Sequence, residues 1–282
     1  MPPPDAAAPP APRLAVVTIT KDDPVGIRRT LASVPAGDGV DVEHVVVDGG
    51  SDPEVADLLR AWQAARPGRR HLVTDPPRGI YPSMNAGIRR TTAPLVMLLN
   101  GGDELAPGAI ERVVTHHAEH GWRWAYGGLI ARDAEGRLLG NYVVGPFRRT
   151  RFRMGLDVVP HPASCVTRAL YDEIGLYRED LGPSSDQEFF LRAATVAPAA
   201  TIPGLLATFW LGGVSGTEGL VAREVTWHRL RCAGRTPLGG SRATDAVATG
   251  GLIGLRVGLW AVAKVRRNPH PHLERDPVSQ AA

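Results

Sequence analysis

Short runs of apolar residues, each the length of one strand, mark the first third of this chain: LAVVTIT at 14–20, VEHVVVD at 42–48 and LVMLLN at 95–100. They are close to continuously apolar, the pattern of strands buried on both faces of a parallel sheet. The intervals between them read as helix at 24–31, helix at 53–65, a short strand at 71–73 and helix at 84–91. This β-α-β alternation predicts an α/β sheet with right-handed crossovers. Ligands of such sheets bind at the carboxyl ends of the strands. Here those ends carry Thr18-Ile19-Thr20, Asp48-Gly49-Gly50-Ser51-Asp52 and Asn100-Gly101-Gly102-Asp103, all polar and two of them rich in glycine.

Beyond residue 103 the pattern is less regular. Strands are predicted at 124–130 and 138–143, helices at 168–175 and 185–194, with no internal repeat and no linker, so the two halves are expected to share a core. Residues 1–12 are Pro/Ala-rich and almost uncharged, a disordered leader and not a signal peptide. Near the other end, 246–265 is apolar apart from Thr249, Arg256 and Lys264, and Arg266 and Arg267 follow. A spanning helix needs roughly 20 apolar residues, and an arginine near the middle is costly. A helix on a membrane surface or packed on the domain is expected instead. The divisions are then a leader (1–12), a first half (13–103), a second half (104–215) and a helical tail (216–282).

Composition narrows the classes. At 282 residues and 43% hydrophobic, the chain can bury a large core and is not disordered as a whole. Its 32 Lys+Arg against 29 Asp+Glu leave a formal charge of only +3, so the sequence pI of 9.1 does not argue for nucleic-acid binding. The positive charge gathers locally, at 148–153 and 264–267. Two cysteines, Cys165 and Cys232, make neither a disulfide framework nor a zinc site and suit a reducing compartment.

Several polar residues stand where chemistry would be done. Asp48, directly after Val45-Val46-Val47, suits a ring N–H or a ribose hydroxyl, and Gly49 and Gly50 allow close approach. Asp52, before Pro53, reads as a helix cap. Asp103 has two open readings: an oxygen ligand for Mg²⁺ or Mn²⁺ on a diphosphate, or a turn residue capping the helix near Pro107. Arg78 lies in a loop entering a helix and is able to pair with phosphate, and Asn85 to hydrogen-bond a strand end or a nucleotide. Asp186 opens an apolar-faced helix and reads from spacing as a cap, with a general base as the alternative.

Taken in order, Val16-Val17-Thr18-Ile19-Thr20, Val47-Asp48-Gly49-Gly50-Ser51-Asp52, Arg78-Gly79-Ile80-Tyr81 with Met84-Asn85-Ala86-Gly87, Leu99-Asn100-Gly101-Gly102-Asp103, His161-Pro162-Ala163 and Ser185-Asp186-Gln187-Glu188-Phe189 resemble the family 2 glycosyltransferases. The likeness extends to the branch that builds bacterial exopolysaccharide, including colanic-acid-type enzymes, and continues into Gly212-Gly213-Val214-Ser215. It implies a GT-A fold, an α/β Rossmann-like architecture with a mixed central sheet, here with a C-terminal helical tail. It also implies a metal-dependent inverting transfer from a UDP-linked nucleotide-sugar to a hydroxyl of a glycan or lipid-linked acceptor in cell-surface polysaccharide synthesis. The implied site is Thr18, Thr20, Asp48, Gly49, Ser51, Arg78, Gly79, Asn85 and Asn100 at the nucleotide-sugar, Asp103 at Mn²⁺ or Mg²⁺, and Asp186 as base. His161 is either a metal or acceptor contact or a structural histidine.

The chain departs from the family where Asn100 and Gly102 replace acids of an Asp-X-Asp element and Pro82 replaces an Asp after Tyr81. Those losses leave a rival reading, a non-catalytic nucleotide- or glycan-binding module derived from a transferase. A nucleotidyltransferase would want glycines after its first strand, and Thr20-Lys21-Asp22-Asp23-Pro24 has none. The expected location is cytoplasmic, at the inner face of the cell membrane if Lys264, Arg266 and Arg267 meet anionic headgroups.

Overall fold

A computed structural model of the chain describes residues 13–34, 40–74, 78–182, 185–211, 227–228, 230 and 241–265. The first apolar run is β1 (Leu14–Thr20), followed by α1 (Pro24–Ser33), β2 (Val42–Asp48), α2 (Pro53–Ala64), β3 (Arg70–Val73), α3 (Ile80–Arg90) and β4 (Leu95–Leu98). Then come β5 (Glu104–Leu105), α4 (Ala109–His120), β6 (Trp124–Arg132), β7 (Leu138–Tyr142) and α5 (Arg149–Arg153). A 3₁₀ turn at His161–Ala163 leads into β8 (Ser164–Thr167), α6 (Arg168–Ile174), α7 (Ser185–Val196), β9 (Ala200–Trp210) and α8 (Arg242–Val265).

The strands form one mixed sheet in the order β3-β2-β1-β4-β8-β6-β9-β5, with β7 paired to β6. Strands β3, β2, β1 and β4 run parallel, β8 turns antiparallel, and the sheet continues through the second half. Chain order reverses about β1: β2 and β3 lie on one side and β4 on the other. That reversal opens a crevice at the carboxyl ends of β1 and β4.

Odd-numbered positions of β1 face α3 in a cluster that holds Val17, Val45, Val47, Met84, Ile88, Trp124, Phe189 and Phe190. The other face packs Leu14, Val16, Met97, Leu99, Ile110 and Ile202. Both clusters draw on residues before and after position 103, so the halves share their core. Contact with α3 is close enough that a Cβ at Gly87 would lie 2.4 Å from Val17 Cγ1.

The structure differs from the sequence pattern at particular places. The run at 95–100 is strand only to Leu98, yet Leu99 N donates to Val17 O and Gly101 N to Ile19 O, so the acidic loop leaves β1 last. Helix α3 begins at Ile80 and not at 84, which puts Tyr81 and Asn85 inside a helix; Gly79 precedes it with φ 114°. Three strands went unpredicted. β5 is two residues long, β8 is a short SCVT, and β9 carries Pro203 and Gly204, which normally speak against a strand interior. The ladder between β6 and β9 absorbs them by shifting register beside Gly128. Helix α8 starts four residues before the expected apolar stretch, and among the described residues no helix is long and apolar enough to cross a membrane. The leader, the segment 212–215, Cys232, Arg266 and Arg267 lie outside the described residues.

Candidate active site

The crevice is walled by main chain. Gly49 N donates to Thr20 O, tying the end of β2 to the end of β1. Asp48 is 4% exposed and accepts the Ser51 N–H at 3.0 Å. Ser51 Oγ accepts from Asp22 N at 3.0 Å, and Asp22 returns a carboxylate oxygen to Asp52 N at 2.9 Å. Asp22 holds φ 50°, a left-handed conformation that this pair of bonds sustains. The two loops are therefore one unit. Asp52 also accepts from Val55 N, so its reading as a cap of α2 is correct.

Thr20 and Thr18 part company. Thr20 Oγ1 is buried and has no hydrogen-bond partner among the described residues, beside Gly101, where a Cβ would come within 3.0 Å of that hydroxyl. Thr18, expected at the nucleotide, is instead wholly buried, with Oγ1 3.0 Å from His44 Nε2 on β2. Thr18 points toward α2, where its partner His44 also meets Trp62 edge-on.

The loop after β4 is braced by α1. Thr30 Oγ1 accepts from Gly102 N at 2.9 Å and donates to Asp103 O at 2.7 Å. Arg29 Nη1 donates to Gly102 O at 3.2 Å, and its guanidinium lies 3.5 Å above the Trp210 ring. Trp210 N donates to Asp103 Oδ1 at 3.1 Å, which joins the end of β9 to this acid. Asp103 does not cap α4, whose cap is Gly108. Burial pushes Asp103 up to about 7, against the opposing pull of the Trp210 N–H and Arg29. Among the described residues no three His, Cys, Asp or Glu side chains gather around a metal position, so Asp103 would contribute a single carboxylate. Asn100 O accepts from Asp103 N and shapes the same turn. Arg78 is exposed at the entrance to α3.

A second polar group lies where α3 meets α7. Tyr81 OH donates to Asp186 Oδ1 over 3.4 Å, while Gln187 donates its backbone N–H to Oδ1 and its side-chain Nε2 to Oδ2 at 2.7 and 3.1 Å. Asp186 thus has the local bond expected of a helix start and also faces another element. Asn85, expected at a nucleotide, is 1% exposed and spends its amide elsewhere: Nδ2 donates to Tyr177 O and Glu179 Oε1, and Oδ1 accepts from Tyr177 N. It joins α3 to the segment before α7. His161 is buried 3.3 Å from Tyr177 OH and packs against the Tyr177 and Phe190 rings, a histidine of the core. Its burial lowers its pKa, partly offset by Asp186. Desolvation raises the Tyr81 and Tyr177 phenols, so both stay protonated donors.

Residues 15–173 match the model of Glycosyl transferase family 2, more than half of the chain. The chain belongs to this family. An uncharacterized glycosyltransferase of Mycobacterium tuberculosis is 33% identical over 85% of this chain and 91% of its own length. A PGL/p-HBAD biosynthesis glycosyltransferase of Mycobacterium bovis is 27% identical over 64% of this chain and 70% of its own. Among solved structures, S. aureus TarS 1–349 in complex with UDP-GlcNAc superposes with a TM-score of 0.60 at 15% identity, covering 86% of this chain and 71% of that one. Mannosyltransferase PcManGT from Pyrobaculum calidifontis, in complex with GDP-Man and Mn²⁺, gives 0.59 at 16% identity over 90% and 76%. These neighbours share the GT-A fold.

For a family 2 glycosyltransferase, the sequence signals at the strand ends were legible because glycines and acids cluster there. Arg29, Thr30, Tyr81, Tyr177, Gln187 and Trp210 were not singled out. Most of them act on a partner far away in the chain, Arg29 on Gly102, Tyr81 on Asp186 and Trp210 on Asp103, while Gln187 bonds the adjacent Asp186 and also reaches Val159.

Proposed function

We propose that this glycosyltransferase moves a sugar from a UDP-sugar to a hydroxyl of a glycan or lipid-linked acceptor, with inversion at the anomeric carbon and with a divalent cation, Mn²⁺ or Mg²⁺, at Asp103. The observation that carries the reading is the juxtaposition across the first turn of α3. Arg78 and Gly79 lead into α3 from the carboxyl side of β3, and Tyr81, two residues on, reaches Asp186. Donor loops and candidate base are thereby linked through one helix start. Support for UDP and Mn²⁺ comes from the ligands of the two structural neighbours.

In this mechanism Asp48 and Ser51 hold the nucleoside at the end of β2, and Thr20 Oγ1 offers its unused hydroxyl to the donor. Arg78 pairs with the diphosphate. The donor set fits a cation of this kind, because Mg²⁺ and related ions take one or two carboxylates plus phosphate oxygens. A buried carboxyl raised toward neutrality gains most from a cation beside it. When bound, the metal stabilises charge on the departing diphosphate. Asp186 accepts the proton of the acceptor hydroxyl while its oxygen attacks the anomeric carbon and the bond to the diphosphate breaks. Tyr81 and Gln187 keep Asp186 aimed. The exopolysaccharide branch, the division at residue 103 and the cytoplasmic membrane face belong to this proposal, with α8 and the basic residues after it as the contact to lipid.

Asp186→Asn tests it. The amide keeps the oxygen that takes the Gln187 N–H but cannot accept the proton, so sugar transfer should fall by at least about a thousandfold with UDP binding retained. Full activity in that variant removes Asp186 as base. Release of free sugar from UDP-sugars with Mn²⁺ and no acceptor separates a transferase from a decayed binding module, which releases none.

A further inference from the structure

Between β7 and the 3₁₀ turn the chain folds around an open hollow of about 370 Å³. The rings of Tyr126, Tyr142 and Phe147 wall it, and Arg148 stands on its rim. Both phenols donate to backbone carbonyls, Tyr126 to Gly145 at 3.1 Å and Tyr142 to Val158 at 2.9 Å, so the walls are fixed. Val159 closes the side toward α7. Its carbonyl accepts from Gln187 Nε2 at 3.1 Å, and the same amide nitrogen donates to Asp186 Oδ2 at 3.1 Å. One side chain thus separates the hollow from the candidate base. The other end of that amide, Gln187 Oε1, is buried without a hydrogen-bond partner among the described residues.

The charge around the hollow is one-sided. The charged residues that line it are two arginines, Arg148 and Arg151, and one acid, Asp157. Arg151 answers that acid, with Nε 3.0 Å from each carboxylate oxygen. The Arg148 side chain is exposed and makes neither an ion pair nor a hydrogen bond among the described residues. Aromatic walls with one convergent cation are the makings of a site for a small polar ligand bearing negative charge, and arginine suits phosphate or carboxylate.

We infer that this hollow is the acceptor subsite and that it selects an acceptor sugar carrying an oxyanion, a phosphate or a carboxylate, which Arg148 binds. The inference rests on the transferase reading and gives its acceptor a chemical class. The ring lies against Tyr126, Tyr142 and Phe147, its hydroxyl faces Val159 on the side where Gln187 bridges to Asp186, and its anionic group meets Arg148 at the rim.

The test is calorimetric titration of the full chain, with the donor site filled by UDP and Mn²⁺, using glucose, glucose 6-phosphate, glucuronate and inorganic phosphate. At least one anionic sugar should bind about tenfold or more tighter than both glucose and inorganic phosphate. Preference between phosphate and carboxylate tells which source of charge the site is built for. Arg148→Gln should erase the advantage, and Arg137→Gln, an exposed arginine paired with Asp133 elsewhere, should keep it. Equal binding of all four probes, inorganic phosphate as tight as the sugar phosphate, or an advantage that survives Arg148→Gln would overturn the inference. UDP that fails to bind would sink the UDP-sugar reading on which the acceptor assignment rests; UDP bound beside a hollow indifferent to charge would sink the acceptor assignment alone.

Discussion

Thr20, Asp48 and Gly101 sit at the ends of parallel strands and are held by main chain: Gly49 N on Thr20 O, Gly101 N on Ile19 O, Ser51 N on Asp48. Asp186 is held differently, by the side chains of Tyr81 and Gln187 and one backbone N–H. Around it Asn85, His161, Tyr171 and Tyr177 bond one another or nearby backbone in a buried network. A crevice built largely from backbone tolerates side-chain changes that leave the glycines, the strand ends and the bracing side chains of Asp22, Arg29 and Thr30 alone. A base held by side chains is sensitive to each of them. The donor side should therefore lose function through charge, and the base side through geometry.

The largest effect on the donor side is expected at Asp103. Asparagine keeps an oxygen for the Trp210 N–H at the 3.1 Å contact but removes the charge. Because burial already pushes this carboxyl up to about 7, a neutral residue should cost the fold little. Asp103→Asn should keep its unfolding temperature yet lose about a hundredfold or more in turnover and in the metal-dependent part of UDP affinity. Metal-independent UDP binding of unchanged strength in both proteins would break the comparison, because charge would then not be what this loop supplies.

At the joint between the regions, Asn85→Ala strands the N–H and C=O of Tyr177 in the core. Each orphaned buried group costs about 1–3 kcal/mol, so a loss of about 3 kcal/mol in denaturant unfolding is expected. UDP affinity measured on the folded protein should stay within a few-fold of wild type. A stable variant that fails to bind UDP would return Asn85 to the nucleotide.

His44 sharpens the picture of the donor half. Burial, with a smaller push from Arg70, lowers its pKa from 6.5 to about 3. The folded protein keeps this ring neutral while the unfolded chain takes up a proton below about 6.5. Stability is therefore full at neutral pH and drains away as pH falls toward 3. At about pH 5 the loss from this one residue is about 2 kcal/mol. Denaturation at about pH 7.5 and pH 5 should show the difference shrinking by that amount in His44→Gln, which cannot take up the proton. An identical pH slope in both proteins would mean that His44 is not held neutral.

The same contrast explains what was legible in the sequence. Parallel strands buried on both faces announce themselves as unbroken apolar runs, so β1, β2 and β4 could be read, along with the polar turns that end them. The antiparallel part hides its strands: β9 runs through Pro203 and Gly204, and β8 is four residues long. Asp48, Asp103 and Asp186 were visible because acids at element ends are conspicuous. The roles of Thr18 and Asn85 were not, and His161 was left between a contact and a structural residue, because a side chain's direction depends on the face it lands on. Thr18 falls on the α2 side of β1, and Asn85 and His161 face Tyr177.

The smallest effect should come from Tyr81, and it is the one that separates geometry from charge on the base side. Its hydroxyl is raised by desolvation and by the neighbouring Asp186, so it donates and does not ionise. The bond to Asp186 is long, 3.4 Å, and Gln187 supplies two shorter ones. Tyr81→Phe keeps the ring, which packs tilted at 5.7 Å on Tyr177, and removes only the oxygen. Stability should change by less than about 1 kcal/mol. With Asp186 less tightly aimed, kcat should fall by about tenfold, while KM for the donor and the affinity for UDP stay the same. A matched fall in donor affinity would place Tyr81 at the nucleotide-sugar and not behind the base. An unchanged kcat would show that Gln187 alone orients Asp186, leaving the link across α3 a matter of packing.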